Sequence, residues 1–188
     1  VPALAVLGRS NVGKSSLLNS LLGTKVARVS QSPGRTQALF WYRVGEKFDV
    51  VDCPGYGYAK TSRSARDTFS ALIEELVTGH IGGTPARFPP TPSRSIAAAL
   101  LLVDGRLEPQ ASDLAMALFL RNSRVPTIVA ATKWDAVKPS QRVRQLRMLN
   151  AAYRDNSRPL LPVSAETGEN LPELARLLNA ALSPASKE

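Results

Sequence analysis

The sequence predicts an α/β fold built on a mainly parallel sheet. Two observations carry that expectation: short apolar runs alternate with segments of helical spacing, and the first run leads into a glycine-containing loop that opens a helix. Residues 3–7 read as a buried strand, and Lys14–Leu22 follows as a helix with Leu17, Leu18, Leu21 and Leu22 on one face. Residues 38–44 and 47–51 flank a tight turn, Val44-Gly45-Glu46-Lys47, and predict an antiparallel hairpin. Residues 63–77 have helical spacing through Phe69, Leu72, Ile73 and Leu76. Residues 96–103 and 127–131 read as buried strands on either side of a helix through Leu114, Leu118 and Phe119. A helix near 140–152, a short strand near 160–163 and a helix over Leu171–Leu182 complete the pattern. There is no internal repeat. Residues 79–95, with Gly82, Gly83, Pro85, Pro89, Pro90 and Pro92, favour neither helix nor strand and predict a mobile surface loop.

The 188 residues fit one domain, 1–188, large enough to bury a core. Hydrophobic residues make up 44% and charged residues 21%, as in an ordinary soluble domain. The longest apolar stretch, 96–103, is far short of the roughly 20 residues a membrane helix needs, so no membrane association is expected. The first residues read as a core strand and not as a signal peptide. Cys53 is the only cysteine, which excludes an intrachain disulfide and favours a reducing compartment, the cytoplasm. His80 is the only histidine, and neither a His/Cys metal cluster nor a Ser-His-Asp triad is expected. The 24 basic residues outnumber 15 acidic ones, giving +9 and a pI near 10.2. Residues 121–158 alone hold nine basic residues (Arg121, Arg124, Lys133, Lys138, Arg142, Arg144, Arg147, Arg154, Arg158) against Asp135 and Asp155, a charge of +7. Such a stretch is either a solvated face or one that recognises a polyanion, of which nucleic acid is the commonest.

Four motifs carry chemistry. Gly8-Arg9-Ser10-Asn11-Val12-Gly13-Lys14-Ser15, followed by Ser16, fits G-x-x-x-x-G-K-[ST] between a strand and an amphipathic helix. Its backbone N–H groups curl around a β-phosphate at a helix N-terminus; Lys14 bridges β- and γ-phosphates, and Ser15 ligates magnesium. Val50-Val51-Asp52-Cys53-Pro54-Gly55 puts a carboxylate at a strand end, about where P-loop enzymes hold the magnesium shell, and Gly55 can offer its N–H to a γ-phosphate. Thr132-Lys133-Trp134-Asp135 follows another buried strand; a carboxylate at Asp135 matches the guanine N1–H and 2-amino donors, which adenine lacks. Lys133 lies along the base, and Ser164-Ala165 occupies the position for backbone contact to guanine O6. Gly34-Arg35-Thr36 lies where a switch loop belongs, with Thr36 able to reach magnesium and the γ-phosphate; alone it reads as an ordinary loop threonine.

Together GRSNVGKSS, SPGRTQ, DCPGYGYA and TKWD closely resemble the EngB family of ribosome-assembly GTPases, over nearly the whole chain from Pro2 to about Leu182. The resemblance implies a P-loop NTPase fold in three layers, with a six-stranded, mostly parallel sheet carrying one antiparallel strand. It implies magnesium-dependent hydrolysis of GTP to GDP, with Lys14, Thr36 and Asn11 catalytic and Ser15, Thr36 and Asp52 around the metal. A role as a nucleotide switch in assembly of the large ribosomal subunit follows, with ribosomal RNA as the partner of a monomer. Asn11 resembles the asparagine that ligates potassium in related GTPases.

Three features depart from the family. The first strand begins at once where members usually carry a preceding segment, residues 79–95 look long, and Trp134 either shields the base or packs. Tyr56 stands where many regulatory GTPases place a water-orienting glutamine, so intrinsic turnover is expected to be slow. The segment 56–66, with Gly57, Ser62 and Ser64 and the basic Lys60, Arg63 and Arg66, is expected to order with GTP. Two rivals remain: a regulatory GTPase with a protein partner unrelated to the ribosome, and a module that keeps GTP as a structural ligand.

Overall fold

The computed structural model describes residues 1–23, 40–45, 47–57, 73, 76, 96–153 and 159–183. Gly34, Arg35, Thr36, most of the expected switch segment and of the 63–77 helix, the 79–95 loop, Arg154 and Arg158 lie outside these.

Six strands form one sheet in the order β2-β3-β1-β4-β5-β6. They are β1 (Ala3–Gly8), β2 (Phe40–Val44), β3 (Phe48–Asp52), β4 (Ile96–Asp104), β5 (Thr127–Thr132) and β6 (Leu161–Pro162). Only the β2–β3 pair is antiparallel, closed by a tight turn in which Gly45 takes a φ of 54° and Lys47 N–H donates to Val44. Arg43 and Asp49 face each other across this hairpin and form an ion pair. The other pairs are parallel, which places every strand end that follows a crossover on one edge of the sheet. The expected strand at 160–163 contracts to two residues, because Val163 already turns toward the next loop while its N–H still pairs with Ala131.

Strand periodicity divides the core in two, since alternate residues of a strand face opposite sides. Ala3, Ala5 and Leu7 of β1 join Ala99, Leu101 and Val103 of β4 on one side. Leu4 and Val6 join Ala98, Leu100 and Leu102 on the other. The second side is covered by α1 (Lys14–Leu22) through Leu17 and Leu18, and by the last helix, Leu171–Leu182, through Leu174, Leu178 and Leu182. The first side is covered by α2 (Ala111–Asn122) through Leu120, by α3 (Pro139–Tyr153) through Leu149 and Tyr153, and by helical Ile73 and Leu76. The last helix is α4. Helices therefore cover both faces, and the three-layer arrangement expected from the sequence is observed.

Candidate functional site

The three motifs that lie within the described residues sit at the carboxyl edge of the sheet. β1 is buried along its whole length and ends at Gly8, where the chain leaves the sheet and loops back into α1. The loop closes through Val12 N–H to the Arg9 carbonyl at 3.2 Å, and the buried Val12 side chain anchors it in the core. Gly13 then takes a φ of 97°, a left-handed conformation that costs a side-chain-bearing residue dearly. No side chain caps the start of α1 and no acidic residue occupies its first turn, so its amides and positive dipole end remain available to an anion.

Lys14, 8% exposed, forms an ion pair with Asp52 at the end of β3, itself 4% exposed. Burial pushes the Asp52 carboxyl up, opposed by the charge and hydrogen bond of Lys14. Among the described residues no group of three His, Cys, Asp or Glu could hold a metal. One carboxylate, the Ser15 hydroxyl and phosphate oxygens make a donor set that suits magnesium, which is commonly held by one or two carboxylates plus phosphates. The neighbouring Cys53 is fully buried and its thiol is pushed up to about 12 by that burial, which makes it a core residue and not a nucleophile.

Gly55 follows Asp52 by three residues and lies against the phosphate loop. A Cβ on Gly55 would come within 2.8–2.9 Å of Ser10, so only glycine permits this approach. Ser10 N–H donates to the Tyr56 carbonyl at 3.0 Å, and Tyr56 N–H to the Gly8 carbonyl at 3.3 Å. The loop and the segment after Asp52 are thus tied together before any nucleotide is considered.

At the other end, Thr132 turns inward: its hydroxyl donates to the carbonyls of Val12 (2.6 Å) and Val103 (3.1 Å). Its side chain braces the phosphate loop against β5. Lys133 takes a left-handed φ of 57°, and its ammonium donates to the Asn11 carbonyl (2.5 Å) and to Asp104 (3.2 Å). Asp135 is exposed, and the buried Ser164 donates its hydroxyl to the Asp135 Oδ1 at 2.6 Å. Ser20 of α1 donates to the Ala165 carbonyl, which fixes that loop to the first helix. Asn11 is exposed with a φ of 66°.

Trp134 is 3% exposed within a short 3-10 turn and belongs to the core cluster, so of its two expected roles it packs. Arg142 is not a free surface cation. Its guanidinium lies 5.9 Å from the Trp134 ring centroid, donates to the Val137 and Trp134 carbonyls, and pairs with Glu169. Of the nine basic residues in the cationic stretch, Arg121, Arg124, Lys138, Arg144 and Arg147 are exposed and form no ion pair among the described residues.

Sequence reasoning missed Asp104, which caps the β4 edge just as Asp52 caps β3. Burial pushes its carboxyl up, but hydrogen bonds from Arg106 and the charge of Lys133 hold it below the usual carboxylate range. The signal was present: a carboxylate ending an apolar strand at the edge that carries the site. It also missed Asp113, a buried acid in the first turn of α2, which no sequence pattern distinguishes from an ordinary helix-start aspartate.

Comparison with known proteins agrees with this geometry. The profile of a family described as "50S ribosome-binding GTPase" matches residues 3–133. A "Probable GTP-binding protein EngB" from Thermotoga maritima is 38% identical over 182 residues, covering 95% of this chain and 86% of the relative. The protein of the same name from Gemmatimonas aurantiaca is 39% identical over 179 residues, covering 95% and 81%. Among solved structures, a probable GTP-binding protein engB superposes with a TM-score of 0.72 at 23% identity, over 96% of this chain and 98% of that one. The GTPase Era, solved with MgGDPNP and a 16S ribosomal RNA fragment, gives 0.71 at 23% identity, over 100% of this chain and 58% of that one. With the phosphate loop, the strand-end aspartate and the base-reading turn on one sheet edge, the chain belongs to the EngB family of GTP-binding proteins, a family of GTPases.

Proposed function

We propose that this GTPase requires magnesium and acts as a nucleotide switch on the large ribosomal subunit, touching ribosomal RNA through its basic helical side. Exposed Arg121, Arg124, Lys138, Arg144 and Arg147 carry the proposal: five cations on the α2–α3 side of the sheet, without acidic partners among the described residues. The matched family's description as ribosome-binding supports the same reading.

At the nucleotide, Lys14 and the α1 amides bind phosphate, Asp135 and Ser164-Ala165 read guanine, and Lys133 holds the base end against the phosphate loop. Ser15 and Asp52, with Thr36, would hold magnesium, which when bound neutralises charge on the phosphates. Tyr56 is buried and cannot hold an attacking water, which supports slow intrinsic turnover. Potassium near Asn11 is one way to supply the missing charge: hydrolysis should be faster in potassium than in sodium, and Asn11→Ala should erase the difference. Equal wild-type rates in the two salts rule that out.

The deciding experiment is co-sedimentation with large ribosomal subunits in a GTP analogue or GDP, over a salt series. Binding should prefer the analogue and weaken with salt. Glutamate at Arg121, Arg124, Arg144 and Arg147 should reduce it, with about one unit of salt slope lost per phosphate contact removed. Sedimentation that survives this charge reversal would favour a regulatory GTPase with a protein partner.

A further inference from the structure

The two segments at the base end of the site, 134–137 and 163–169, are joined by a residue that belongs to neither. Arg142 stands one turn into α3, with its guanidinium on three acceptors. Nε donates to the Val137 carbonyl at 3.2 Å, Nη2 to the Trp134 carbonyl at 3.1 Å, and Nη1 to Glu169 Oε1 at 3.2 Å. The first two acceptors bracket Asp135 in the chain, and the third ends the turn that begins at Ser164. Within that turn Ser164 N–H donates to the Glu169 carbonyl (3.1 Å) and Gly168 N–H to the Ser164 carbonyl (3.0 Å), so what fixes Glu169 also fixes Ser164. One planar fork thus spans both segments, with each nitrogen on a different oxygen. A lysine, whose donors share one nitrogen, has no such reach.

The Trp134 ring gives this brace its footing. It is buried, a Cβ on Gly105 would come within 2.9 Å of it, and the Arg142 guanidinium lies within cation–π range. Gln145, three residues further along α3, donates to the carbonyls of Gly105 (2.9 Å) and Leu107 (2.7 Å). The start of α3 therefore grips the Trp134 turn and also the loop packed on it. Two other bonds join the starts of the base-end segments, Trp134 N–H to the Val163 carbonyl and the Ser164 hydroxyl to Asp135. Arg142 joins their ends, Val137 and Glu169. Fixing both starts and ends sets the tilt of one segment against the other.

A carboxylate that takes two donors at once is sensitive to its tilt, because both hydrogen bonds must stay close to straight; one that takes a single donor can follow it. We propose that Arg142 is a positioning residue that sets base specificity: by fixing 134–137 against 164–169, it holds Asp135 at the angle where the guanine N1–H and 2-amino group both bond to it. This rests on the reading that Asp135 takes those two donors. A brace needed only for stability would weaken all nucleotides alike, whereas this one acts on the 2-amino contact.

The test compares GDP with inosine diphosphate, whose base keeps N1–H and O6 but lacks the 2-amino group, by calorimetric titration of the whole chain. Arg142→Ala should lower the ratio of GDP to inosine diphosphate affinity by about 3- to 10-fold, the worth of one hydrogen bond, with inosine diphosphate itself changed by less than about twofold. Glu169→Ala should lower the ratio in the same direction; the Glu169 side chain is 34% exposed, so this variant carries the test if Arg142→Ala does not fold. Glu169→Gln, which keeps an acceptor, should restore the ratio to within about twofold, and the double alanine variant should lose no more than Arg142→Ala alone. Equal weakening of both nucleotides, an unchanged ratio, additive losses, or full retention of the ratio in Arg142→Lys would each overturn the proposal. Asp135→Ala is a separate arm: it should abolish the preference for GDP, and if it does not, the base reading itself has failed whatever Arg142 does.

Discussion

The two ends of the nucleotide site are prepared differently. At the base end, Asp135 is exposed yet already oriented, because Ser164 donates to one carboxylate oxygen and Ser164 in turn accepts from Thr167 N–H. Trp134 N–H bonds the Val163 carbonyl, and Arg142 gathers the Trp134 and Val137 carbonyls and Glu169. At the phosphate end the charged groups satisfy each other: Lys14 and Asp52 are buried as a pair. On the proposed reading, guanine would meet a surface that need not rearrange, whereas the phosphates would have to draw Lys14 toward themselves and leave Asp52 to a new partner. That reading puts recognition at the end whose groups are already held, and response to the nucleotide at the end whose charges would have to exchange partners.

The largest expected effect breaks the phosphate end. Lys14→Ala should lower GTP turnover by a factor on the order of 10²–10³, the usual cost of losing one preorganised charge stabiliser. Single-turnover phosphate release measures it, and a loss below tenfold would mean that Lys14 stays with Asp52 during hydrolysis. Next comes the base end: Asp135→Asn should cost guanine nucleotides about 10- to 100-fold in affinity, from the loss of charged hydrogen bonds. GDP and the GTP analogue should suffer alike. A selective loss of one of them would show that the two ends are not separable.

The sequence showed both ends but not the contrast between them. Each motif residue stands out in the sequence because its place relative to a strand end is local: Gly13 and Lys14 after β1, Asp52 at the end of β3, Asp135 after β5. The sheet covered on both faces likewise agrees with apolar runs such as 96–103, whose alternate residues fill two cores. What stayed hidden were contacts between residues far apart in the chain. Lys14 with Asp52 spans 38 positions and Lys133 with Asp104 spans 29. Arg142, the centre of the basic stretch by composition, proved to be an internal strut, because charge counts do not say which guanidinium finds carbonyls. Asp113 is the hardest case: its burial depends on how α2 seats on the rest of the fold, and nothing local encodes that.

Asp113 also offers a pH test of the fold that carries the site. Burial raises its carboxyl to about 6, opposed by Tyr56 and Arg9 and reinforced by Asp104. The folded chain thus holds this proton more tightly than the unfolded chain, whose aspartate titrates near 3.8. Its contribution to stability is fully present below pH 4 and is lost as pH rises through 6. Urea denaturation of wild type and Asp113→Asn should therefore give a stability difference that moves against the wild type by about 2–3 kcal/mol between pH 4 and 6.5. A flat difference would mean the carboxyl is better solvated or better paired than its burial implies.

The smallest expected effect concerns a side-chain tie between the two ends. Lys133 reaches from the base-reading turn to the Asn11 carbonyl of the phosphate loop, and Asp104 holds the same ammonium from below. Asp104→Ala leaves Lys133 its bond to Asn11 but removes the partner that fixes its direction, a partly exposed ion pair worth about 0.5–1 kcal/mol. GDP and the GTP analogue should therefore weaken equally, by about 2- to 5-fold. Equal weakening is the point of the measurement, since it places Lys133 with the preformed base end. If Asp104→Ala instead shifts the ratio of the two nucleotides, the lysine transmits phosphate state across the site, and the division between a fixed end and a responsive end gives way to a single coupled unit.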